Sequence, residues 1–227
     1  MKVLIATPAY GGQVYAEFTE SLLSTCFTLA ALDIQFDVKF INNQIVTRAR
    51  NMLCHFFLDD PSFTHMIFID ADIVWKANDV VKLLKSGLDF VIGVYPNKKY
   101  MWVEDKLTLN PSSVFLKDED NYTKKETRKE KYVAVKYAAT GFTMFKRGVF
   151  DVVKDDVDTF FLPGNNGENI ELHNYFDFNV VDKDYLTEDY YFSYLYRKNG
   201  GEIFADSTIT LKHIGAHAHG ELIIKGD

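Results

Sequence analysis

The chain has 227 residues, 47% of them hydrophobic, with 25 Lys+Arg against 32 Asp+Glu and a formal net charge of -7. That size and apolar content support one large α/β domain and exclude disorder as a whole-chain description. The negative balance excludes a protein whose main business is gripping nucleic-acid backbone, but a few local cations or a metal still allow a small anionic ligand.

Lys2-Val3-Leu4-Ile5-Ala6 is a short apolar run closed by Thr7-Pro8-Ala9-Tyr10-Gly11-Gly12, which reads as a buried strand entering a loop. A helical pattern follows from Val14 to Leu32, with Phe18, Leu22, Leu23, Cys26, Phe27 and Ala30 expected inward. Asp37–Ile41 reads as a second strand and Ile45–Leu58 as a second helix. His65–Ile69 is the third and most apolar strand, Asn78–Lys85 a short helix, and Phe90–Tyr95 a fourth strand stopped by Pro96. This alternation predicts a mainly parallel sheet covered on both faces. Ligands of such sheets lie beyond the carboxyl ends of the strands, so the loops after the first and third strands are the places to search.

The second half is less regular. Lys117–Lys131 is charged and nearly free of apolar residues, as expected of a solvated loop. Tyr132–Tyr137 resumes a strand, and 155–184 reads as an irregular loop region. Glu188–Lys198 is a buried helix ended by Asn199-Gly200-Gly201, and 203–205 and 208–211 read as late strands. Cys26 and Cys54 stand singly in apolar stretches, which predicts buried thiols rather than a disulfide framework or a zinc site. No signal peptide or membrane-spanning run is evident, so a soluble protein of a reducing compartment, the cytoplasm, is expected.

Asp70-Ala71-Asp72 sits where the most apolar strand runs out. In an extended segment alternate side chains point the same way, so both carboxylates can face one ligand. Their repulsion is relieved by a cation, and carboxylate oxygens suit hard divalent ions such as Mg2+ or Mn2+. The competing reading is a strand-end turn in which one Asp caps the next helix. Arg48 and Arg50 flank Ala49 and are candidates to reach an anionic ligand, with a solvated helix face as the alternative. Lys98-Lys99 fits either a ligand contact or a surface turn. His213, His217 and His219 cluster near the C-terminus, but Gly215 and the strand-like residues before it argue against a helical zinc pair.

The string Met66-Ile67-Phe68-Ile69-Asp70-Ala71-Asp72-Ile73 resembles the D-x-D element of glycosyltransferases with the GT-A fold. Other segments agree in order: Ala6–Tyr10 with the nucleotide-binding end of the first strand, and Ala139–Phe142 followed by Lys146–Phe150 with acceptor- and sugar-side contacts. Thr187-Glu188-Asp189 is similar to the acidic pair opening a helix, and Lys212–Gly215 to the late strand end whose His completes a metal site. Small viral and bacterial glycosyltransferases, including chlorovirus capsid-glycan enzymes, are the members it most resembles; a viral member would work in the host cytoplasm.

The resemblance implies a GT-A-like α/β fold with a smaller acceptor-side sheet region, and one domain over 1–227 with a nucleotide-binding half (1–100) and an acceptor-side half (101–227). It implies a Mn2+- or Mg2+-dependent transferase that moves a sugar from a nucleoside diphosphate sugar to a hydroxyl of a glycan or protein-glycan acceptor. Asp70, Asp72 and His213 would hold the metal, and Thr7, Pro8, Ala9, Tyr10, Arg48, Asp70 and Lys98 the donor. Asp189, with Glu188 second, would be the general base. That pair favours inversion, although retaining members need no such base and the stereochemistry stays open. One rival is a nucleotidyltransferase acting on sugar phosphates, but only Gly11-Gly12 stands where its Gly-rich loop would be. The other is a non-catalytic carbohydrate-binding protein on a degenerate transferase fold, against which the retained acids argue.

Overall fold

A computed structural model describes residues 1–103, 106–116, 131–164 and 166–215, with side chains described outside 99–107. The charged stretch up to residue 130, the side chains of Lys99 and Trp102, and His217 and His219 lie outside the described residues.

The first half runs β1 (Lys2–Ala9), a 3-10 turn at Tyr10–Gly12, α1 (Ala16–Ala31), β2 (Gln35–Asn42), α2 (Val46–Asp59), β3 (His65–Ile69), β4 (Ile73–Val74), α3 (Ala77–Leu84) and β5 (Phe90–Ile92). After it come β6 (Pro96–Val103), β7 (Lys106–Pro111), β8 (Val114–Phe115), β9 (Tyr132–Tyr137), β10 (Phe142–Lys146) and α4 (Gly148–Val153). The chain continues through β11 (Thr159–Pro163), β12 (Asn169–His173), β13 (Asn179–Val181), β14 (Asp184–Leu186), α5 (Glu188–Lys198), β15 (Phe204–Asp206) and β16 (Lys212–His213).

Among the described residues the largest sheet has eight strands in the order β2-β1-β3-β10-β5-β15-β9-β8. β1 pairs parallel with β2 and β3, and β15 parallel with β5. β10 runs antiparallel between β3 and β5, and β9 antiparallel between β15 and β8. Strands β1, β2, β3, β5, β8 and β15 therefore share one direction, as the sequence predicts, and β9 and β10 oppose it. β10 separates β3 from β5, so the sheet mixes strands from both ends of the chain. Small hairpins, β6/β7, β11/β12 and β13/β14, and the pair β16/β4 complete the fold.

Strand β3 is buried at every position because both of its faces are covered, which is why it reads as unbroken apolar sequence. On one side α2, α4 and α5 close over Phe68, Phe90, Phe145, Phe150, Phe176 and Phe192. On the other, α1 and α3 cover Val3, Ile5, Ile67, Phe142 and Met144. Burying each such phenylalanine stabilises by about 2–3 kcal/mol before the entropy of ordering is charged against it.

Three expectations need correction. Helix α1 buries Phe18, Ser21, Thr25 and Leu29, whereas Leu23 and Phe27 face outward at 53% and 74% exposure. The small hydroxyl residues win the inner face because Trp75 needs them. Its Nε1 donates to Thr25 Oγ1 at 2.8 Å and its backbone N–H to Ser21 Oγ at 3.3 Å. Residues 208–211 are not a strand. Asp206 accepts from the Thr208 backbone N–H at 2.9 Å and its hydroxyl at 2.6 Å, which folds the segment into a turn, and pairing starts at Lys212. The region 155–184 is not irregular throughout, since it contains the hairpins β11/β12 and β13/β14.

Candidate active site

Asp70-Ala71-Asp72 leaves the carboxyl end of β3 as a turn closed by one bond of its own and pinned by three from outside. The Asp70 N–H donates to Gly141 O at 2.9 Å and the Ile73 N–H to Asp70 O at 3.0 Å. The Ile214 N–H donates to Asp72 O at 2.8 Å, and the Tyr15 N–H to Ala71 O at 3.4 Å. The residue before α1, the residue before β10 and the residue after β16 thus hold the end of β3 in place. Gly141 permits the closest approach: a Cβ there would lie 2.4 Å from the Tyr95 hydroxyl oxygen and 2.8 Å from Asp70 Oδ2. The Tyr95 hydroxyl instead accepts from the Gly141 N–H at 3.1 Å.

The two acids face different partners. Arg50 Nη2 donates to Asp70 Oδ1 and Oδ2 at 3.0 and 3.3 Å, while its Nε lies 3.4 Å from Glu188 Oε1. Arg50 is only 3% exposed and packs over the Phe68 ring. A guanidinium so deeply placed is tolerable only because carboxylates surround it. Burial alone would lower its pKa, but Asp70, Glu188 and Asp189 override that and raise it. Among the described residues its Nη1 has no partner. A buried, unpaired donor is costly, and Arg50 lies behind Asp70 rather than in the lining of the cleft.

Asp72 meets Lys98 and His213 instead. Lys98 Nζ lies 2.5 Å from Asp72 Oδ2, and His213 Nε2 lies 3.4 Å from the same oxygen. Burial works against the Asp72 charge, but hydrogen bonds from His213 and Lys98 outweigh it and hold the carboxyl below its ordinary value. His213 Nδ1 lies 2.9 Å from Pro96 O, and a carbonyl only accepts, so Nδ1 carries a proton. This leaves Nε2 turned to the carboxylate. A histidine oriented through Nδ1 by a backbone carbonyl is the arrangement that steadies a metal ligand. Two donors of an octahedral ion stand roughly 3 Å apart, close to the separation here. Among the described residues no group of three His, Cys, Asp or Glu side chains is poised to hold a metal. The expected trio is therefore assembled only as Asp72 with His213, while Asp70 is turned to Arg50. A two-donor site still suits Mg2+ or Mn2+ when substrate phosphates supply further oxygens.

Glu188 and Asp189 open α5 beside this cluster. Glu188 is buried at 7% exposure against Arg50. Asp189 Oδ1 accepts from the Thr187 hydroxyl at 2.6 Å and the Tyr190 N–H at 2.8 Å. Burial and the neighbouring Glu188 push the Asp189 carboxyl up to about 6.

A cleft of about 600 Å³ opens in front of the motif, lined by Pro8, Ala9, Tyr10, Tyr15, Val46 and Asp70–Asp72, among others. Pro8, Ala9 and Tyr10 thus border Asp70 and Asp72, with Tyr10 84% exposed. Thr7 does not reach the cleft: it is fully buried, and among the described residues its hydroxyl has no partner. Arg48 is exposed and lines a different depression. Arg50, two residues on, is the arginine that enters the site. Helical phase carried that signal, because Arg50 falls between Ala49 and Leu53 on the apolar stripe of α2, where a cation must have a partner. Arg147 is spent structurally, with its guanidinium donating to the carbonyls of Phe57, Leu58, Asp60 and Phe63 at 2.6–3.3 Å.

No protein-family model matches the chain, and no curated protein matches it by sequence. Solved structures do. A197 from STIV is similar with a TM-score of 0.51 at 20% identity, over 95% of this chain and 86% of that one. GalNAc-T7, solved with UDP, GalNAc and Mn2+, gives a TM-score of 0.53 at 10% identity over 95% of this chain, which spans 44% of that protein. The catalytic domain of Drosophila beta1,4galactosyltransferase 7, in complex with xylobiose, gives 0.48 at 13% identity, over 92% of this chain and 66% of that one. At these identities the likeness concerns architecture: the chain has a mixed α/β fold of the GT-A glycosyltransferase kind.

Proposed function

We propose that the chain is a glycosyltransferase that takes its sugar from a nucleoside diphosphate sugar and passes it to an acceptor hydroxyl. The observation that carries this reading is the meeting, at the end of β3, of Asp70 with Arg50 and of Asp72 with Lys98 and His213, beside Asp189. GalNAc-T7, on a similar fold, was solved with UDP, GalNAc and Mn2+.

In this reading Asp72 and His213 hold a divalent cation, Mn2+ or Mg2+. Bound there, the ion supplies charge neutralisation for the departing diphosphate. Lys98 balances Asp72 and offers a second positive charge to the leaving group. Tyr10 presents an exposed ring, and Pro8 and Ala9 a wall, to the nucleoside. Arg50 holds both oxygens of Asp70 from behind and so orients that carboxylate at the edge of the cleft. Asp189, held near neutrality by burial, takes the proton of the attacking acceptor hydroxyl. In this reading a base at Asp189 serves an inverting displacement.

The test is hydrolysis or transfer from a panel of sugar nucleotides by the purified protein with Mn2+. Asp72→Ala should lower turnover at least 100-fold, because both the cation and the Lys98 contact lose their anchor. Turnover of the variant equal to that of the parent would sink the assignment.

A further inference from the structure

The link from β5 to β6, Gly93-Val94-Tyr95 running into Pro96, builds much of the Asp72 half of the site. Pro96 O meets His213 Nδ1 at 2.9 Å, and Lys98, two residues on, reaches Asp72. Tyr95 itself is 6% exposed. Its carbonyl accepts from the Ser112 N–H at 2.9 Å, which ties its backbone to the residue after β7.

The Tyr95 side chain touches both halves of the site. Its ring packs against the His213 imidazole, with centroids 5.1 Å apart and planes at 79°. A single bond at Nδ1 leaves an imidazole free to pivot about that bond, and a second ring packed nearly at right angles removes the freedom. At the far end of the Tyr95 ring the hydroxyl accepts from the Gly141 N–H at 3.1 Å. Gly141 O in turn accepts from the Asp70 N–H at 2.9 Å. Without that hydroxyl the buried Gly141 N–H loses its acceptor, and the strut behind Asp70 loosens. Burial, with Asp70 and Asp189 nearby, holds the phenol well above its ordinary range, so it stays neutral and moves no proton. What it supplies is geometry.

We propose that Tyr95 is the positioning residue that sets the two halves of the site relative to each other. Its ring fixes the His213 imidazole toward the cation, and its hydroxyl, through Gly141, fixes the turn bearing Asp70. This role rests on the transferase reading above and adds a residue to it. The two duties fall on different atoms, so they can be separated. Tyr95→Phe keeps the ring and deletes the Gly141 contact, whereas Tyr95→Leu deletes both.

The experiment reads both duties on the full chain. Mn2+ alone is titrated while the ring signals of His213, assigned by their loss in His213→Ala, are followed by NMR, and donor turnover is measured with kcat and KM resolved. Tyr95→Leu should need roughly tenfold more Mn2+ to broaden the His213 signals. Tyr95→Phe should need no more than the parent, yet its kcat should fall roughly 10–100-fold with donor KM changed less than about twofold. Its Asp70 and Gly141 amides should also exchange with solvent roughly tenfold faster. Circular dichroism checks that each variant is folded, and if Tyr95→Leu is not, Tyr95→Phe still decides the hydroxyl's part. Parent kcat and parent amide exchange in Tyr95→Phe, or the parent's Mn2+ requirement in a folded Tyr95→Leu, would overturn the proposal. So would an equal loss of the Mn2+ response in both variants, which would make Tyr95 a support of the fold alone. Failure of the transferase reading is distinguishable: the parent protein would then turn over no donor, while the His213 response and the amide exchange still test Tyr95.

Discussion

At the scale of single residues the site is a partition of charge. Arg50 holds Asp70 and Glu188, Lys98 and His213 hold Asp72, and Asp189 is left with hydroxyl and amide donors only. Burial and Glu188 raise its carboxyl to about 6. As general base Asp189 must be ionised, so kcat/KM should rise with pH through a limb near 6. Asp189→Asn should lower kcat by roughly 10²–10⁴-fold and remove that limb. The same shift has a stability consequence of opposite sign. A carboxyl raised above its unfolded value favours the fold below about pH 4, and that contribution is lost as pH rises through about 6. Asp189→Asn should therefore stabilise the protein at pH 8 by roughly 1–3 kcal/mol, read in a denaturant titration. A variant that is inactive and less stable at pH 8 would show that Asp189 serves the fold instead.

Elements position these residues, and their ends matter more than their middles. Helix α2 carries Arg50 inward only if its C-terminus is held, and Arg147, leaving β10, donates to four carbonyls at and beyond that end. Arg147→Ala should cost about 2–3 kcal/mol and lower Tm by roughly 4–10 °C, measured by calorimetry, with donor affinity little changed below the transition. An unchanged Tm would contradict that role. Most elements were legible from apolar runs and their period, notably β3, α2, β9 and α5. The inner face of α1 was not, because hydrophobicity favoured Leu23 and Phe27 while the Trp75 hydrogen bonds to Ser21 and Thr25 decided the packing. The turn at Asp206 was hidden for a similar reason: Thr208-Ile209-Thr210-Leu211 has strand composition, and one buried carboxylate redirects it. The hairpins of 155–184 carry short apolar runs, such as Phe160–Leu162, but the Asp, Asn and Gly residues between them made the whole stretch read as loop.

On the scale of the molecule, the order of strands decides what meets. Asp70 and Asp72 stood out in the sequence because acids at the end of a buried strand need a reason. What they would touch was not legible, since Arg50, Lys98, Glu188 and His213 arrive from α2, β6, α5 and β16, far apart along the chain. The sheet brings them together by placing β10 between β3 and β5, so that Gly141 and Tyr95 close behind Asp70. The same assembly keeps Arg48 out of the lining of the cleft and turns it to a depression against the β11/β12 hairpin.

The central claim is that Asp72 and His213 hold a divalent ion through which a nucleoside diphosphate is bound. Isothermal titration of a panel of nucleoside diphosphates into the protein, with and without Mn2+, tests it directly. Binding of at least one should need Mn2+ and weaken at least tenfold in His213→Ala. Equal affinity without the metal, or in that variant, would contradict the account.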